Sequence, residues 1–186
     1  MVNLTVKQLR GVVSCPHQCF RRGLHVDSHP CVLNSYWPSS LLPNSTSNIS
    51  TDPCHWFGII CDRHARSIVE INLPNAFIEG TLGFFDFSTL FSLTALNLSA
   101  NNLYRLIPVG IGSLSELSLL DLSKNLLFGN MPHSMANITS ISDLRIGDNR
   151  INGQLLPNFF INGKILSVLY LGGNMITGAI PVDTVV

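Results

Sequence analysis

The chain has 186 residues, enough for one domain with a sizeable core, and a formal net charge of +0. Balanced charge offers no basic surface for nucleic acid or an anionic membrane, and charged residues make up only 12%, about half the usual share. It contains no run of 18 apolar residues that could span a membrane and none of the kinase marks G-x-G-x-x-G, H-R-D or D-F-G.

Residues 1–30 form an atypical opening. Met1 to Cys15 reads MVNLTVKQLRGVVSC, without the apolar block of a secretory leader. The expectation is a stretch without defined structure, left by a missing start or a wrongly joined exon. Cys15 and Cys19, followed by His25, His29 and Cys31, invite a zinc reading. The spacing argues against it: about a dozen residues separate the two ligand pairs of a zinc finger, whereas five separate Cys19 from His25. No metal site and no cofactor are expected, and Cys15, Cys19 and Cys31 receive no role.

Residues 31–66 change character. VLNSYW at Val32–Trp37 leads into a polar loop, Pro38–Thr51, that carries two N-x-S/T acceptors at Asn44 and Asn48. Asp52–Asp62 then reads DPCHWFGIICD, with Cys54 and Cys61 enclosing Trp56 and Gly58.

From residue 67 the chain repeats itself. Leu117, Leu120, Leu122, Asn125, Leu127, Gly129 and Met131-Pro132 set a skeleton. Twenty-four residues earlier it recurs as Leu93, Leu96, Leu98, Asn101, Leu103 and Ile107-Pro108. It follows as Ile141, Leu144, Ile146, Asn149, Ile151 and Gly153, and again as Leu166, Leu169, Leu171, Asn174, Ile176, Gly178 and Ile180-Pro181. L-x-x-L-x-L-x-x-N-x-L at this period marks a leucine-rich repeat solenoid. Ser67–Gly80 is a degenerate first copy, with Ile68, Ile71, Leu73 and Ile78 in phase and Ala76 in the asparagine slot.

Each copy must bury apolar side chains that it cannot bury alone. Leu120 and Leu122 alternate along a short strand and point inward, so Asp121 is expected to point out. Asn101, Asn125, Asn149 and Asn174 are expected to form a ladder that satisfies buried backbone groups at the turn. Glycines 129, 153 and 178 permit a tight bend; Arg105 stands in that slot one coil earlier. Phe84, Phe85 and Phe87 should fill the convex side, and the extra residue at Leu155-Leu156-Pro157 should make the third coil bulge.

The G-x-I-P element and C-x-W-x-G-I-x-C resemble those of plant extracellular leucine-rich repeats, in receptor kinases and receptor-like proteins, over about Leu33–Pro181. The resemblance implies an α/β-type leucine-rich repeat solenoid, right-handed, with a short parallel sheet on the concave face and loops or 3-10 turns outside. It also implies an N-terminal cap over residues 31–66, closed by a Cys54–Cys61 disulfide with Trp56 across the first coil. About five repeats then fill residues 67–186, the last incomplete, so a fragment of a longer solenoid is expected. Arg105 and Cys31 depart from the family pattern.

Solenoids bind on their concave strip. Its outward positions include Glu70, Asn72, Ala95, Asn97, Leu119, Gly147, Val168 and Gly172. The binding candidates are Asp121, Lys124, Asp143, Arg145, Asp148 and the aromatic Tyr170, a residue type enriched at interfaces. Asn97-Leu-Ser is an N-glycosylation acceptor on this strip, where a glycan would block part of the groove; Asn137-Ile-Thr is one on the convex return. The six histidines converge with no nucleophile or carboxylate pair, so no enzyme is expected. The resemblance implies a receptor ectodomain module whose partner is a peptide ligand or a partner receptor ectodomain. The alternatives are a secreted inhibitor of a cell-wall polysaccharide hydrolase, or a truncated receptor product without function.

Overall fold

In the computed structural model the structure describes residues 53–55, 57–64, 67–155 and 166–178. Expectations for residues 1–30, Cys31, Asn44, Asn48, Trp56, Pro157 and Ile180-Pro181 lie outside them.

Strands three to five residues long recur once per coil, each carrying an apolar side chain into the core. β1 (Ile59–Cys61), β2 (Ile68–Asn72), β4 (Ala95–Asn97), β6 (Leu119–Asp121), β8 (Asp143–Arg145) and β10 (Val168–Tyr170) line up in that order as one sheet. All pairs are parallel except β1 with β2. The register keeps equivalent leucines side by side: Ile71, Leu96, Leu120, Leu144 and Leu169 form one row. The first four are almost wholly buried, with Leu169 half-buried at the end of the row.

The cap sits at the other end. Cys54 and Cys61 are bridged, with Cα atoms 5.5 Å apart, and β1 closes antiparallel on β2. Gly58 makes this possible. Its φ is +73, and a Cβ there would collide with the Asn72 carbonyl, so a side chain would hold the cap off the first coil.

The convex side differs from expectation. Besides 3-10 segments such as Val109–Ser113 and His133–Asn137, it carries a second parallel sheet. β3 (Glu79–Gly80), β5 (Asn102–Arg105), β7 (Leu126–Asn130), β9 (Arg150–Gln154) and β11 (Met175–Thr177) make it up. Each follows directly on the turn that ends a concave strand. Gly129 and Gly153 there have φ of +81 and +86, and Arg105 adopts +74 in the same slot. Phe85 and Phe87 stack with ring centroids 5.5 Å apart inside the coil, but Phe84 is exposed rather than filling the convex core.

The asparagine ladder works through the backbone. Asn125 Oδ1 accepts from the Leu103 N–H of the preceding coil (3.0 Å), and its Nδ2 donates to the Leu98 and Leu122 carbonyls (3.0 and 3.1 Å). Asn101, Asn149 and Asn174 repeat the pattern on Ile78, Leu127 and Ile151. No buried side-chain polar atom of the described residues lacks a partner. Ladder and leucine rows together make one core running through every coil.

Asp121 corrects its sequence reading. It faces the concave side of β6, yet it is only 9% exposed. Its Oδ1 accepts from the Ser123 N–H (3.0 Å) and Ser123 Oγ (2.6 Å), and strands β4 and β8 flank it. A carboxylate so engaged is a turn-forming group rather than an open ligand contact.

Candidate functional site

The concave sheet arranges its outward residues in rows that follow the register. One row is Glu70, Ala95, Leu119, Asp143 and Val168; the next is Asn72, Asn97, Asp121, Arg145 and Tyr170. The first half of the second row is closed upon itself. Asn97 Nδ2 donates to Asn72 Oδ1 (3.1 Å), and Asn97 Oδ1 accepts from Ser99 Oγ (2.8 Å). Of the two acceptor asparagines in the described part, Asn97 is thus half-buried and engaged, whereas Asn137 is exposed at the end of its 3-10 segment.

The second half is where reactive surface gathers. Arg145 forms a paired contact with Asp143, Nε to Oδ1 at 2.9 Å and Nη2 to Oδ2 at 2.8 Å. The planar guanidinium suits that bidentate geometry. The side chains remain 43% and 17% exposed, so the pair is half in water and orients more than it stabilises. One coil on, Tyr170 donates its hydroxyl to Asp148 Oδ2 (2.8 Å). That bond raises the Tyr170 pKa above its usual 10.0, with partial burial and the Asp148 charge adding in the same direction. The ring lies over Gly147, where a Cβ would strike it. Tyr170 is therefore held at both ends while 40% of it faces solvent.

Lys124 and Asp148 occupy the turn positions just before ladder residues Asn125 and Asn149, with φ of 55 and 53. They stand at the exit of the strip rather than on it. The Lys124 side chain is exposed and has no ion-pair partner among the described residues.

The structure thus brings Asp143, Arg145, Asp148 and Tyr170 together on β8, β10 and the turn between coils. It leaves Lys124 at the rim and removes Asp121 from the accessible set. Sequence reasoning counted Gly147 among the outward positions but missed its part as the seat of Tyr170. The signal was present: a residue without a side chain stands next to an aromatic one coil later. Chemically the site presents a part-exposed guanidinium, its paired carboxylate and an exposed aromatic ring. No group of three metal-ligating residues occurs among the described residues.

Comparison with known proteins agrees with this geometry. The Leucine Rich Repeat family model matches residues 92–114. A leucine-rich repeat receptor-like serine/threonine-protein kinase of Arabidopsis thaliana is 38% identical over 135 residues, covering 72% of this chain and 14% of the relative. The chain thus spans about a seventh of that relative's length, within its repeat region. Among solved structures, the BIR3–SERK2 complex of Arabidopsis thaliana matches with a TM-score of 0.66 and 29% identity, over 78% of this chain and 79% of that one. The Arabidopsis HAESA ectodomain in complex with an IDA peptide hormone matches with a TM-score of 0.60 and 30% identity, over 69% and 22%. The chain is a leucine-rich repeat solenoid. Its cap and repeats are similar to those of plant receptor ectodomains.

Proposed function

We propose that this chain is a recognition module of a plant cell-surface receptor and acts in signalling outside the cell. It binds a peptide or a partner receptor ectodomain on the concave strip around Tyr170, Arg145 and Asp143. The observation that carries the reading is the state of Tyr170: an exposed aromatic held by Gly147 beneath and Asp148 at its hydroxyl. An anchor ordered before binding loses little freedom on binding. Two similar structures are complexes, one with the partner SERK2 and one with a peptide hormone. A disulfide in the cap suits an oxidising compartment. In this reading residues 31–66 are the cap, residues 67–186 hold about five repeats, and Asn137 carries the glycan that Asn97 would have put in the groove. Any kinase activity belongs to other parts of the relatives.

The test is a binding screen of the chain, secreted from plant cells, against plant secreted peptides and receptor ectodomains. A partner should appear whose affinity falls about 30-fold in Tyr170→Ala, the loss of a 2 kcal/mol anchor. A partner indifferent to Tyr170→Ala and Arg145→Ala alike would overturn the concave site.

A further inference from the structure

The outer face of the second sheet carries a run of exposed apolar side chains. Tyr104 of β5 pairs in register with Leu126 of β7, and they are 38% and 41% exposed. Phe128, two residues along β7 and so on the same face, is 47% exposed. Leu106 is 54% exposed and lies over Gly129 of β7. These four adjoin one another, whereas folded monomers usually scatter such side chains singly. In each of the two strands the alternate residue is core: Leu103 and Leu127 are fully buried.

Charge at the margins says what fits there. Arg105 follows Tyr104 directly, and Arg150 of β9 stands in register beside Phe128. Both are exposed, and neither has an ion-pair partner among the described residues. With β7 between them, the two strands that carry them are roughly 10 Å apart. An exposed arginine on each of the two strands that flank β7 complements an apolar segment with a carboxylate at either end.

We propose that this face is a second docking surface, separate from the concave strip, and that its occupant is an acid-flanked apolar segment of a protein partner. Leu106, Leu126 and Phe128 receive the apolar side chains; Arg105 and Arg150 receive the flanking carboxylates.

The experiment uses the full secreted chain and a set of synthetic 12-residue peptides with one Leu/Phe core and either Asp/Glu or Lys/Arg flanks. Acid-flanked peptides should bind at least tenfold more tightly than base-flanked ones. The double variant Arg105→Glu with Arg150→Glu should invert that order, and Phe128→Ser should weaken both sets. All three positions are exposed, and unchanged circular dichroism melts check that the variants fold. Equal binding of the two peptide sets, or binding of neither, overturns the proposal. So does a concentration-dependent dimer abolished by Phe128→Ser, which would make a second copy the occupant.

Discussion

Arg105 holds its backbone at φ 74 in the slot where the next two coils use Gly129 and Gly153. A side chain in the left-handed region costs about 1–2 kcal/mol. Glycine gives back roughly 0.5–1 kcal/mol through the freedom it adds to the unfolded chain. Arg105→Gly should therefore raise stability by roughly 0.5–1 kcal/mol in urea unfolding; a loss would mean that the Arg105 side chain makes contacts worth more than its strain. Asp121 makes the opposite kind of prediction. Its two bonds to Ser123 are buried, so Asp121→Ala should cost about 1–3 kcal/mol, as a surface residue would not. Asn125→Ala should cost about the same, since it strips partners from Leu103, Leu98 and Leu122. Tyr170 adds a pH signature. Its folded pKa is raised by the hydrogen bond to Asp148, so the bond's contribution is complete below the usual 10.0 and is lost as pH climbs through the raised value. Phenolate absorbance assigned by difference from Tyr170→Phe should titrate above 10.0 and move down in Asp148→Asn; no movement would refute the coupling.

At the scale of the element, the cap should behave as a separable clasp. Its bridge closes a loop with a sequence separation of 7, worth about 2.5 kcal/mol in chain entropy. Cys54→Ser with Cys61→Ser should destabilise by that amount and speed hydrogen exchange first in β1 and β2, where the cap strand pairs. Uniform exchange across all coils would mean the cap is not a local device. The concave strands were legible in the sequence because Leu120 and Leu122 recur at a 24-residue period that only stacked coils explain. The second sheet was not. In LLFGN at Leu126–Asn130, the buried Leu127 and the exposed Leu126 and Phe128 are all apolar, so alternation leaves no trace in composition. The burial of Asp121 was hidden for another reason. Side-chain phase tells which face a residue is on, but its exclusion from water depends on Ser123 and on strands supplied by the coils before and after. The pairing of Tyr170 with Asp148 and Gly147 likewise crosses coils, so it could be read only once the register was known.

For the molecule as a whole, stability is expected to be graded along the axis. Leu120 and Leu122 are fully buried between coils, while Leu166, Leu169, Leu171 and Ile176 are only partly so. Amides of β6 should accordingly exchange far more slowly than those of β10, where each coil's contact is only with its neighbour. Equal protection in a chain shown to be monomeric would contradict this gradient. The asparagine ladder also gives the solenoid a direction. Every ladder side chain reaches back to the coil before it: Asn101 to Ile78, Asn125 to Leu103, Asn149 to Leu127, Asn174 to Ile151. A coil's turn is thus completed by the residue that arrives one period later. Pulled by its two ends, such a chain should not yield all at once. It should unzip one coil at a time, each rupture releasing one 24-residue period and about 80 Å of slack, and each stripping the amide partner from the coil behind it. Under tension such a solenoid would lengthen in steps.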